Sequence, residues 1–158
     1  MVANVVNDGA VILKRQKART RKFSDVRGIV VMFIEAKRLK HDMTPGERYG
    51  QLAGEALWTA QHNLEGVGSG DQEVFGVVKT HRNAHIFHGV FKESYLRNAP
   101  SALSPNDSAT LKISRSFDLA NTGERLEFVA QLLGVLHYVK SGNSFVGKMR
   151  GAGLPVRI

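Results

Sequence analysis

The sequence predicts a single domain of the α/β class, in its α+β form: a mixed β-sheet with helices on its faces. Three observations carry this. Ile29-Val-Val-Met-Phe-Ile34 is an unbroken apolar run, rich in β-branched residues and too short for a buried helix, so it reads as a strand. Two helix starts are written in capping chemistry, at Thr44-Pro45-Gly46-Glu47 and at Asn121-Thr-Gly-Glu124. The elements follow in the order strand, strand, helix, hairpin, strand, helix, which a mixed sheet covered by helices satisfies.

The chain of 158 residues suits one domain with a real core. The apolar run at 29–34 is apolar on both of its faces, which marks a central strand. Before it, residues 2–6 are apolar but for Asn4, Asn7-Asp8-Gly9 supplies turn chemistry, and Ala10-Val-Ile-Leu13 resumes as a short strand. The helix from Pro45 is expected to run to about Asn63, where Gly66-Val-Gly68-Ser-Gly70 ends it. Its core stripe is read as Tyr49, Leu52, Ala53, Ala56, Leu57, Ala60 and Leu64. Val74-Phe-Gly-Val-Val-Lys79 and Ala84-His-Ile-Phe-His-Gly-Val-Phe91 form a hairpin about a four-residue loop. Residues 95–106 are an irregular connection, and Thr110-Leu-Lys-Ile-Ser-Arg115 alternates as a half-exposed strand. The last helix extends to about Lys140, with Leu126, Val129, Ala130, Leu133, Leu136 and Val139 as its expected core stripe. Residues 1–144 form the domain, and 145–158 are a basic, Gly-rich tail.

The chain has 22 Lys+Arg against 14 Asp+Glu, a net charge of +8, and no cysteine. Disulfides and thiolate zinc sites are excluded, and a polyanionic partner is favoured, nucleic acid first. No apolar run reaches the length of a membrane span and no signal peptide opens the chain. An intracellular protein, cytoplasmic or nuclear and without a membrane, is therefore expected. The charge concentrates in Lys14-Arg15-Gln-Lys17-Ala-Arg19-Thr-Arg21-Lys22, which suits phosphate contact, plain solvation or a nuclear address.

Glu35-Ala36-Lys37 ends the central strand, with Glu35 and Lys37 sharing a face by alternation. Such a pair is either the strand's exit into solvent, worth roughly 0–1 kcal/mol as a surface ion pair, or a reaction centre. Asp8 precedes the neighbouring strand, and Gln51 lies early in the next helix. His85 and His88 fall on opposite faces of their strand, so a metal shared between them is not expected.

Asn7-Asp8-Gly-Ala-Val-Ile-Leu13, Ile34-Glu35-Ala-Lys37-Arg38 and Tyr49-Gly-Gln51-Leu52, with the hairpin of Val74-Phe-Gly-Val-Val78 and His85-Ile-Phe-His88, together resemble the PD-(D/E)xK nuclease superfamily. The resemblance spans about residues 7–91. Asn7 stands where that family usually has proline, and the helix that usually opens the fold is not evident before Asp8. The resemblance implies a restriction-endonuclease-like fold, a central mixed sheet flanked by helices. It implies metal-dependent hydrolysis of phosphodiesters, DNA preferred, with Asp8, Glu35, Lys37 and Gln51 as the catalytic set. Mg²⁺ or Mn²⁺ would be held by Asp8, Glu35 and the Ala36 carbonyl, with Asp25 as the alternative acid. Lys14, Arg15, Lys17, Arg19, Arg38 and Lys40 would hold the phosphate backbone. A homodimer is a further expectation, since resolvase-like relatives act as dimers. A nuclease-fold module without activity, binding nucleic acid or protein through its basic surface, is the alternative.

Overall fold

In the structure, a computed structural model, residues 9–13, 29–37, 45–99, 104 and 107–147 are described. Strand β1 (Gly9–Leu13) pairs antiparallel with β2 (Ile29–Lys37), which contains the apolar run. Helix α1 (Pro45–Val67) crosses back, and β3 (Gln72–Thr80) lies parallel to β2. Strand β4 (Asn83–Phe91) returns antiparallel to β3, and a short helix α2 (Glu93–Asn98) follows. Strands β5 (Ala109–Ile113) and β6 (Phe117–Asp118) both pair antiparallel with β4, and α3 (Thr122–Lys140) completes the order. The sheet runs β1-β2-β3-β4-β5, with β6 beside β4. It is a mixed sheet flanked by helices, as the sequence predicts.

The two faces of the sheet hold separate cores. On one, Phe33, Val74, Phe87 and Phe91 pack with Leu52, Ala56, Ala60 and Leu64 of α1. On the other, Met32, Phe75, Ala84, Ile86 and Phe117 meet Phe128 and Val139 of α3. Each fully buried aliphatic or aromatic side chain contributes roughly 1.5–3 kcal/mol by leaving water. Gly76 pairs with Phe33 across the parallel β2–β3 register, and the Phe33 ring occupies the space a Cβ on Gly76 would need. That explains a glycine in the middle of an apolar strand, where it would otherwise weaken the strand.

Several boundaries differ from the sequence reading. The turn between β3 and β4 is His81-Arg82, because pairing continues through Thr80 and Asn83; His81 takes a φ of 51° to close it. Part of the connection at 95–106 is helical, in α2. The last sheet line is broken at Ser114, where β5 and β6 spend one more residue than β4 does between the Ile113–Phe87 and Phe117–Ala84 pairs. Ser114 bridges this bulge: its N–H donates to the Ile86 carbonyl and its Oγ accepts from the Ile86 N–H. Helix α1 ends at Val67, and Gly68, at φ +87°, closes it by donating to the Leu64 carbonyl. Asn121 caps α3 as expected, accepting from Gly123 and Glu124. The Glu124 side chain reaches instead to the Asp118 N–H and to Arg115.

Two core stripes need correction. Tyr49 is 58% exposed rather than part of the α1 stripe. In α3, Leu126, Val129, Ala130, Leu133 and Leu136 are exposed, and Val139 alone of the expected stripe is buried. The sheet takes the face of Phe128, Leu132, Val135 and Val139. The reason is that α3 carries two apolar stripes, and the one with the phenylalanine seats its ring 5.6 Å from that of Phe117. The start of the C-terminal tail is held: Val146 is buried, the Phe145 N–H donates to Glu73, and the Gly147 N–H to Gln72.

Candidate functional site

The carboxyl end of β2 is where the sequence places the reacting groups. Glu35 is only 6% exposed, although it stands two residues from the end of the strand. It alternates with Phe33, whose ring packs against α1, so Glu35 belongs to the α1 face. Ile34 and Ala36, on the other side, are exposed. Lys37 is the last residue of β2 and pairs in register with Thr80.

Helix α1 lies on that face in a fixed alignment. The Asn63 side chain, fully buried, accepts from the Val30 N–H and donates to the Val30 carbonyl, both at 2.8 Å. This clip joins the end of the helix to the start of the strand, so the two run in opposite directions. With rises of about 1.5 Å per helical and about 3.3 Å per strand residue, Gln51 falls level with Glu35 and Glu55 about one turn behind. Gln51 is exposed; Glu55 is 3% exposed. By this estimate Gln51 stands about as far along the helix as Glu35 along the strand, and Glu55 adds a second buried acid on α1.

Glu55 was not singled out in the sequence, yet a signal exists. Gln51, Glu55, Thr59 and Asn63 recur every four residues beside the Leu52-Ala56-Ala60 stripe, a polar row along one edge of the buried face. Glu55, Thr59 and Asn63 are all buried. A carboxylate taken out of water is tolerated only with charge or hydrogen-bond compensation, so the burial of Glu35 and Glu55 sets two acids that the fold must compensate on this side of the sheet.

Asp8, Asp25, Lys14, Arg15, Lys17, Arg19, Arg38 and Lys40 lie outside the described residues, as does the Thr44 cap. Gly9, the residue after Asp8, pairs with Ile34, the residue before Glu35. Among the described residues no three His, Asp or Glu side chains converge as a metal site would need. Of the two acids in the expected set, Glu35 lies among the described residues and Asp8 lies outside them.

A second polar cluster sits on the opposite face, between the sheet and α3. Glu73, 4% exposed, takes His88 Nε2 at 2.6 Å, the Tyr138 hydroxyl at 3.2 Å and the Phe145 N–H at 3.0 Å. Burial would raise the Glu73 pKa, but these hydrogen bonds and the charge of His88 outweigh it and hold the carboxyl below its usual range. Burial, and then the neighbouring Glu73 charge, push the Tyr138 hydroxyl up. His88 stacks on Phe75, with ring centroids 4.9 Å apart. These groups line an open, largely apolar cleft of about 620 Å³. The sequence reading placed His88 on its strand and missed Glu73 as its partner.

Compared with protein-family models, curated proteins and solved structures, the chain matches none. Among the described residues, no helix is long and apolar enough to cross a membrane.

Proposed function

We propose that the protein is a metal-dependent nuclease of the PD-(D/E)xK type, with a restriction-endonuclease-like sheet and a preference for DNA. The observation that carries the reading is Glu35: a buried acid at the carboxyl end of a central strand, two residues before Lys37, on the face covered by the helix that carries Gln51. Support also comes from the order of elements, in which the strand after Asp8 pairs with the Glu-x-Lys strand and the glutamine helix follows directly.

Asp8, Glu35 and the Ala36 carbonyl are the residues that would hold the cation, an all-oxygen set suited to Mg²⁺ or Mn²⁺. When bound, the metal would supply Lewis-acid stabilisation of the scissile phosphate. Lys37 offsets the negative charge that builds on the phosphate oxygens as water adds to phosphorus and the bond to the leaving sugar oxygen breaks. Gln51 orients Lys37 or the attacking water by hydrogen bond. The polyanion is held by the basic segment, where the positive charge is most concentrated along the chain. Lys14, Arg15, Lys17, Arg19, Arg38 and Lys40 carry that contact.

The test is cleavage of plasmid and single-stranded DNA with Mg²⁺ or Mn²⁺, wild type beside Glu35→Ala and Lys37→Ala. Activity that needs the metal and drops by at least about a hundredfold in both variants supports the reading. The net charge of +8 favours a second reading, a nuclease-fold module that binds nucleic acid without cutting it. Salt-sensitive DNA binding by the wild type, with no cleavage and no change in either variant, would select that one.

A further inference from the structure

Between α3 and the strands β3, β4 and β5 runs the open cleft that Glu73, His88 and Tyr138 line. Strand register sets its floor: Phe75 of β3 lies opposite His88 of β4, and His88 opposite Lys112 of β5. Directly opposed residues share a face of the sheet, so the row runs from a buried ring to an exposed ammonium. On the helix side Gln131, Gly134, Val135 and Tyr138 complete the lining, one face of α3 at three-and-four spacing.

The cleft has the attributes of a small-molecule site. Its volume of about 620 Å³ lies in the range such sites occupy. Its rings are held in place before any ligand arrives. Glu73 fixes both His88 Nε2 and the Tyr138 hydroxyl, His88 stacks on Phe75, and Tyr138 meets Phe75 edge-on with centroids 6.1 Å apart. Little ordering is left for a ligand to impose. Gly134 keeps the helix wall open. Glycine in a helix interior is costly beside alanine, yet a Cβ on Gly134 would meet nothing within 4 Å. Packing does not require this glycine, and a side chain there would enter the cleft.

Charge selects the ligand. The carboxylate of Glu73 is answered within the fold by His88, Tyr138 and the Phe145 N–H. Lys112, at the rim, has no ion-pair partner among the described residues. We propose that the cleft binds a small aromatic carboxylate, its ring against Phe75, His88 and Tyr138 and its carboxylate on the Lys112 ammonium. The site lies on the face of the sheet away from Glu35 and does not depend on the nuclease reading.

The test is an amide-resonance titration of the whole chain with 2-naphthoate, beside its uncharged counterpart 2-naphthamide. Saturable shifts at Lys112, His88 and Gly134 are expected, with a Kd below about 1 mM for the acid. The amide should bind about three- to tenfold more weakly, and Lys112→Gln should erase that preference. Gly134→Leu, with its helical circular dichroism intact, should abolish binding of both probes. Absence of saturable shifts overturns the proposal, as does equal binding of acid and amide by the wild type. So does a preference for the acid that survives Lys112→Gln, an exposed position whose change leaves the fold intact. Binding indifferent to Gly134→Leu would place the probe on the outer leucines of α3, and would also overturn it.

Discussion

Helices α1 and α3 lie on opposite faces of one sheet and use their apolar residues in opposite ways. Helix α1 has one apolar stripe of small and medium residues, and it buries that stripe together with Glu55, Thr59 and Asn63 of the polar row beside it. Helix α3 has two stripes, buries the one with Phe128, and leaves the leucine-rich one outside. Spacing alone ranks the second stripe of α3 as the better core, because it holds three leucines in seam register. What decides is the partner surface: the Phe128 ring packs against Phe117 in a buried cluster with Ala84 and Ile86. A periodic stripe thus shows that a helix is amphipathic, without showing which of two apolar faces the sheet takes.

If α1 is the better anchored helix, its contacts should be the most costly to break. Asn63→Ala removes two buried hydrogen bonds and strands the Val30 N–H and carbonyl. A loss of about 3 kcal/mol is expected in urea unfolding. Gly76→Ala should cost about 2–3 kcal/mol, because the new methyl collides with the Phe33 ring. Combining it with Phe33→Leu should recover part of that cost. Strict additivity of the two would show that the ring is not the obstacle.

The α3 face supplies the polar counterpart. Glu73→Gln should cost about 2 kcal/mol at neutral pH, since a charged acceptor with three donors is replaced. The pH dependence has a definite sign. The folded carboxyl titrates below its usual 4.5, so its contribution is complete above that value and is lost as pH falls through the folded pKa. Wild-type and Glu73→Gln unfolding curves should therefore converge below pH 4.5. A gap that widens in acid would mean that Glu73 is not held as a carboxylate.

Much of this contrast could be read in the sequence, and the failures share a cause. The central strand, both long helices, the hairpin and the mixed sheet follow from period, capping and turn residues, which are local signals. Glu35 could be placed because a doubly apolar strand ends on it. Glu55 was passed over because a single acid on a helix looks solvent-facing until the whole row from Gln51 to Asn63 is taken together. The pairing of Glu73 with His88 depends on strand register between β3 and β4, and the outward stripe of α3 on which of two faces fits a gap. Neither is written in any one segment.

The remaining tests concern small effects, where the two helices should differ in sign as well as size. In α1, Thr59 is fully buried, and its Oγ1 has no hydrogen-bond partner among the described residues. Thr59→Val keeps the shape and removes the hydroxyl, so a gain of about 1 kcal/mol is expected. In α3, Leu126→Ala removes a side chain that is mostly in water within a single copy. Its unfolding free energy should change by less than about 0.5 kcal/mol. A concentration-independent loss as large as that expected for Leu52→Ala on α1, about 2–5 kcal/mol, would mean that the outer stripe is core after all, and the distinction between the two helices would fall with it.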